Sequence, residues 1–212
     1  MIENARGLVL RTRPLTETSL IVHWLTADLG RVATVAKGAR RPKSPFAGKL
    51  DLFYLADFSF MRSRRSDLHT LREVNLRETH GPLRGDVARL QHAAYVTACL
   101  ELATEAETPL PEIYALAAGF LDWLCSDEPR VQTIFAFELK LLHELGLAPD
   151  LGETRLPPGT QKIAATLLTA EWSVCARLKL SPAQVLDLRE WLHGFLIFHL
   201  ERLPRGRSAV TH

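Results

Sequence analysis

Residues 37–50 read Lys-Gly-Ala-Arg-Arg-Pro-Lys-Ser-Pro-Phe-Ala-Gly-Lys-Leu. Gly38, Pro42, Pro45 and Gly48 exclude a regular helix or a central strand, because glycine frees the backbone and proline removes a donor and fixes φ. The stretch is therefore a long loop, and loops lie at the surface. It carries five cations, Lys37, Arg40, Arg41, Lys43 and Lys49, and no acid. Such a surface is what a phosphate backbone meets first. The same composition also suits a solvated connection that only keeps a protein soluble, so the flanking segments decide.

Upstream, residues 5–12, 19–25 and 31–36 are short, rich in Leu, Ile and Val, and punctuated by Pro14 and by a turn at 26–30 ending in Gly30. Each predicts a strand, the first ending before Pro14. Downstream, residues 52–61 alternate, with Phe58 and Phe60 on one face and Asp57 and Ser59 on the other. Residues 68–78 give a fifth strand. Five short strands within residues 1–80, with the long loop between the third and fourth, predict a small closed barrel, and the five-stranded OB-fold is the matching architecture. An SH3-like barrel with a purely structural role is the competing reading. Aromatics such as Phe53, Tyr54, Phe58 and Phe60 are more often core than platforms for bases, and none is assigned to a base. Arg62, Arg64 and Arg65 place a second basic cluster in the turn after the fourth strand.

The pattern changes at Gly81-Pro82. Val87, Leu90, Ala94, Ala98 and Leu102 recur at helical spacing behind Asp86 as N-cap. Pro109 and Pro111 precede a second helix with Ile113, Leu116, Ala117, Phe120 and Leu124 on one face. After Pro129 a third helix turns Val131, Ile134, Phe135, Leu139, Leu142 and Leu145 inward and stops at Gly146. A loop over 150–160, a helix from about 160 to 178, and a final helix capped by Ser181 and Gln184 follow. The tail from Arg205 reads as polar and frayed. The expected class is α+β: an OB barrel at 1–80 followed by an α-helical domain at 81–212.

The net charge of +2 hides an asymmetry: residues 1–80 hold 14 Lys/Arg against 8 Asp/Glu, and residues 81–212 hold 12 against 16. That split suggests two domains with different partners, nucleic acid for the first. Cys99, Cys125 and Cys175 are odd in number and lie in apolar contexts, which suggests reduced, buried thiols in a reducing cytoplasm. Arg6, Arg11 and Arg13 break any signal-peptide pattern, and no apolar run reaches membrane-spanning length, so no membrane partner is expected. No Cys-x-x-Cys pair, no second histidine near His143-Glu144 and no complete phosphate loop at 158–162 are present. The expectation is a non-enzyme without metal or cofactor. DNA binding is favoured; a protein-recruiting adaptor with a structural barrel is the alternative, and a small hydrolase has no constellation behind it.

Residues 5–22 and 30–44 resemble the opening of the bacterial DNA repair protein RecO family, and Phe137 to Pro149 is similar to the segment after that family's helical core. The resemblance implies binding of single- and double-stranded DNA and annealing of complementary strands without ATP. It also implies work with RecR, and in some lineages RecF, to load the recombinase RecA onto DNA coated by single-strand DNA-binding protein. By position, Lys37, Arg40, Arg41 and Lys43 match the family's basic loop. The helical half would receive the acidic, apolar tail of single-strand DNA-binding protein in a groove, with Arg130 and Lys140 as rim candidates. Many members carry a four-cysteine zinc module just after 137–149; residues 150–159 here contain no cysteine.

Overall fold

The computed structural model describes residues 1–211. Five strands, β1 (Ile2–Pro14), β2 (Leu20–Thr26), β3 (Gly30–Ala36), β4 (Leu55–Met61) and β5 (Leu68–Glu78), close into a barrel in the order β1-β2-β3-β5-β4. All pairs are antiparallel except β3 with β5, where Ala33–Val35 runs beside Leu68–Thr70 in the same direction. This is the five-stranded barrel the sequence predicts. Its interior is apolar: Val9, Val22, Trp24, Val32, Phe58, Phe60, Leu71 and Val74 form one buried cluster. Trp24 stacks on Phe58 at 4.2 Å and donates its indole N–H to Thr34 Oγ1 at 2.9 Å, which meets the indole's hydrogen-bonding need inside the core.

The strand limits depart most from expectation at β1, which starts at Ile2 instead of residue 5 and runs past residue 12, and at β4. β1 runs through Pro14, because beyond Val9 it has only β2 as a ladder neighbour, and a one-sided strand end tolerates a missing N–H. β4 starts at Leu55, not residue 52, because Phe53 takes φ 66° and turns the chain while its ring is buried. β1 also carries a bulge between Val9 and Arg11.

The helices are α1 (Val87–Ala103), α2 (Pro111–Ser126), α3 (Val131–Glu144), α4 (Pro158–Thr169), α5 (Trp172–Arg177), α6 (Pro182–Leu200) and α7 (Arg207–Val210). The chain groups into two compact units, Met1–His80 with Thr104–Ala118, and Gly81–Ala103 with the chain from Gly119 on. The segment Thr104–Ala118 is held to the barrel by backbone bonds from Glu107 N–H to Arg31 O and from Leu110 N–H to Ala27 O. Gly30 makes this approach possible: it sits at φ +63°, and a Cβ there would lie 1.8 Å from the Thr108 carbonyl oxygen.

In the second unit α3 packs against α4, α5 and α6 around Phe135, Leu139, Leu142, Leu167, Leu188, Leu192 and Leu196. Four sequence expectations are corrected here. α1 buries Ala93, Tyr95, Val96, Cys99 and Leu100 and leaves Val87 and Leu90 exposed, because a helix apolar nearly all round carries several equally periodic stripes. α3 is buried on almost every face, including Glu138. The helix expected over 160–178 is two helices broken at Ala170 and Glu171; in the last turn of α4 the Leu168 carbonyl accepts from Lys140 and the Leu167 carbonyl from the Cys175 thiol. The tail is not frayed: Arg207, Val210 and Thr211 are buried, for a reason given below. α6 begins, as expected, with the reciprocal Ser181–Gln184 capping box.

Candidate nucleic-acid interface

The loop after β3 is a run of tight turns. Ala39 N–H bonds to Ala36 O, Arg41 to Gly38 O, Ser44 to Arg41 O, Ala47 to Ser44 O and Lys49 to Phe46 O. It is also tethered. Phe46 inserts into the barrel core, and Ala39 and Leu50 pack beside it. Arg40 N–H bonds to Thr18 O at 3.0 Å, its guanidinium reaches Thr16 O at 3.5 Å, and Gly38 N–H reaches Ser19 Oγ at 3.5 Å. The loop is thus fixed to the β1–β2 turn at one side and to the core in the middle. The apolar ring between Pro45 and Ala47 explains the tether: burying it is worth about 2 kcal/mol.

On this scaffold Lys37, Arg40, Arg41 and Lys43 are exposed and Lys49 is half-buried. Among the described residues, the side chains of Lys37, Arg41, Lys43 and Lys49 form no ion pair or hydrogen bond. Five positive charges are therefore held close together with no carboxylate to neutralise them, a geometry that attracts polyanions.

The second basic cluster differs in kind. Arg62 is gripped by Glu3 at 2.7 Å and by Glu107 at 2.8 Å, and lies 5.9 Å from the Phe60 ring centroid. Its hydrogen bond to Glu3, with Glu107 adding to it against the cost of burial, raises its pKa further. Glu3 is held below the usual carboxylate range by the bond from Arg62. Glu107 is also lowered: burial pushes it up, but bonds from His69 and Arg62 outweigh that. Arg62 is therefore a structural clasp, while Arg64 and Arg65 remain exposed. Nor are the two clusters neighbours. β5 begins at Leu68 opposite Ala33, so residues 62–67 lie toward the start of β3, and the loop at 37–50 leaves from its end.

The bulge in β1 changes which side chains face outward. Val9 pairs with Trp24 and Thr12 with Val22, both toward the core; Arg11 pairs with His23 and Arg13 with Ile21, both on the outer face. Strict alternation from Val9 would have turned Arg11 and Arg13 inward, so the sequence pattern alone hid them. The field they create is visible at His23, whose pKa is lowered by burial and then by Arg13, Arg11 and Arg31.

The two partner-contact candidates of the helical unit are not brought together. Arg130 precedes α3 and pairs with exposed Glu128 at 2.8 Å. Lys140 lies ten residues on, about 15 Å along the helix axis. It is half-buried, donates to Leu168 O at 2.9 Å and sits 5.4 Å from the Trp172 ring centroid; burial lowers its pKa. The cleft beside Arg130, about 250 Å³, sets Asp127 and Glu128 against Arg130 and Arg177, so it offers an acidic ligand no net attraction. A larger cavity of about 530 Å³ opens between α6 and the C-terminal segment, with Arg189, Glu190 and His193 near Leu203 and Pro204.

A four-thiolate zinc site does not fit this chain. Cys175 is buried, with its thiol toward Leu167 O and Ala170 O and its pKa pushed up by burial, and burial pushes the Cys99 thiol up as well. Among the described residues no group of three or more His, Cys, Asp or Glu side chains is placed to hold a metal ion. No helix among them is long and apolar enough to cross a membrane.

Two family models match the chain: Recombination protein O N terminal over residues 1–80, and Recombination protein O C terminal over residues 84–154. Among curated relatives, the DNA repair protein RecO of Anaeromyxobacter sp. (strain K) is 34% identical over 238 residues, covering 96% of this chain and 94% of its own length. That of Alkaliphilus metalliredigens is 28% identical over 237 residues, covering 96% of both. That of Listeria monocytogenes serotype 4b is 30% identical over 207 residues, covering 95% of this chain and 80% of its own.

Proposed function

The chain belongs to the RecO family of DNA repair proteins, and from that premise we propose that it is a non-catalytic mediator that binds DNA through the tethered loop at residues 37–49. The observation that carries this reading is the loop itself: five cations on a fixed scaffold, with no carboxylate spent on them. Binding to such a surface releases the counterions condensed on DNA, which supplies the affinity and makes it fall steeply with salt. Two strands drawn to one cationic surface have their mutual repulsion screened, which lowers the electrostatic barrier to pairing. Annealing then needs no nucleotide hydrolysis. Working with RecR, and in some lineages RecF, the protein would help load RecA onto DNA covered by single-strand DNA-binding protein. The larger cavity between α6 and the C-terminal segment, where Arg189 and Glu190 stand beside an apolar Leu203–Pro204 wall, is where that protein's acidic, apolar tail would dock, with Arg189 as the cation to meet it. Arg64 and Arg65 are auxiliary cations; Arg62 is not a DNA ligand in this reading.

The test is the triple substitution Arg40→Glu, Arg41→Glu, Lys43→Glu. The expected result is a sharp fall in DNA affinity at physiological salt and loss of annealing, with tail-peptide binding retained. The slope of log K against log salt should fall by about two units on single strands. A protein that melts normally and keeps its affinity and salt slope would overturn the reading. A further substitution, Arg189→Glu, should weaken tail-peptide binding and leave DNA binding intact; unchanged peptide affinity would remove the cavity from the proposal.

A further inference from the structure

The DNA-contacting surface need not stop at the loop. Arg13 pairs with Ile21 on β2, which pairs with Val35 on β3. Two residues past Val35 is Lys37, the first cation of the loop. Two inter-strand spacings and two residues of rise separate Arg13 from Lys37 by about 12 Å between Cα atoms. Both residues share the outer face, by the bulge-shifted alternation in β1 and the regular alternation in β3. Arg13 is exposed, and among the described residues its side chain forms no ion pair or hydrogen bond. Between them lies the β1–β2 turn, and it is this turn that Arg40 and Gly38 bond to, so loop and strand are one rigid surface. Glu17, at the tip of the turn, is the single acid there beside Arg13, Lys37, Arg40, Arg41 and Lys43.

We propose that Arg13 extends the phosphate-binding surface of the loop onto the outer face of β1, so that one stretch of DNA backbone runs from Lys43 and Arg41 across Lys37 to Arg13. The inference rests on the loop being a DNA site, and it adds what the bulge is for. The extra residue in β1 puts Arg13 on the outer face, where solvent and DNA are, instead of beside Thr12 and Val22 in the barrel. The pKa of His23, two pairings away, is lowered first by burial and then by Arg13, Arg11 and Arg31, in keeping with a positive strip there.

The experiment is a salt titration of binding to a short single strand, comparing the unaltered protein with Arg13→Gln, Arg13→Lys, Arg72→Gln and the loop triple variant, each checked by thermal melting. Arg72, exposed on β5, controls for a general loss of charge. The expected result for Arg13→Gln is weaker binding, with the salt slope reduced by about 0.7 units. Arg13→Lys and Arg72→Gln should keep the slope. If Arg13→Gln changes nothing while the loop triple lowers the slope, the extension is wrong and the loop site stands. If neither changes it, the loop reading fails and takes the extension with it. If Arg72→Gln loses as much as Arg13→Gln, the effect is overall charge, and the extension is overturned.

Discussion

Two segments of this chain look alike in sequence and end up opposite in structure. Gly38-Ala-Arg-Arg-Pro-Lys43 and Pro204-Arg-Gly-Arg-Ser208 are both short, basic and broken by proline and glycine. The first displays its charges to solvent. The second buries one: Arg207, 5% exposed, donates from Nε to Glu138 Oε1 at 2.7 Å and from Nη2 to Oε2 at 3.0 Å, and from Nη1 to Arg189 O at 3.1 Å. Tyr95 adds its hydroxyl to the same carboxylate. Glu138 lies on α3 with 0% exposure and needs a cation, because an unpaired buried charge is very costly. The tail supplies it, and Val210 and Thr211 are carried into the core with it. An arginine's fate is set by the carboxylate it finds, not by its local sequence.

The strongest way to break this comparison is Arg207→Ala. It should leave Glu138 stranded and cost about 3–5 kcal/mol, measured by denaturant unfolding, while Arg41→Ala should move stability by no more than about 0.5 kcal/mol. Replacing Glu138 and Arg207 together by leucine should recover much of the loss, because two apolar groups leave no orphaned charge. A single Arg207→Ala variant as stable as the parent would mean that the pair does not hold the tail.

A smaller effect is expected at Arg62, the case between the two extremes. Arg62→Gln should cost about 1 kcal/mol, since its partners are half-exposed and screened, and should leave DNA affinity nearly unchanged. It should also change the acid response. Glu3 and Glu107 have folded-state pKa values below their ordinary value of about 4.5, so the unfolded chain binds protons first as pH falls. Their stabilising contribution is full above that value and is lost as pH drops through the lowered ones. Acid titration of the Arg62→Gln variant should therefore show a shallower loss of stability below pH 4.5; a parallel loss would show that Arg62 does not hold these carboxylates down.

The smallest effect is a titration. His23 should protonate below its ordinary 6.5, and Arg13→Gln should raise that value without restoring it fully, because burial is the larger cause. Ring-carbon chemical shifts followed against pH by NMR would show it. No change on removing Arg13 would place the guanidinium away from His23 and weaken the shared outer face.

Most of the barrel was legible from the sequence, because its signals are local. Alternation over seven residues names a strand, and glycine or proline names its end. Five such strands and one long loop name a small barrel, while the order β1-β2-β3-β5-β4 was left to tertiary pairing. The loop's exposure was legible for the same reason: residues 37–50 cannot form regular structure, whatever surrounds them. The helices were legible as helices, but not which face they bury: α1 and α3 are apolar on too many sides for periodicity to choose. The charges were the least legible. Arg62 finds Glu107 45 residues away, Arg6 finds Asp57 51 away, and Arg207 finds Glu138 69 away. A bulge of one residue moves Arg13 from inside to outside. The sequence determined where the cations are. Only the tertiary structure decided which are neutralised, because electrostatic free energy depends on distance and burial, and both are properties of the folded chain.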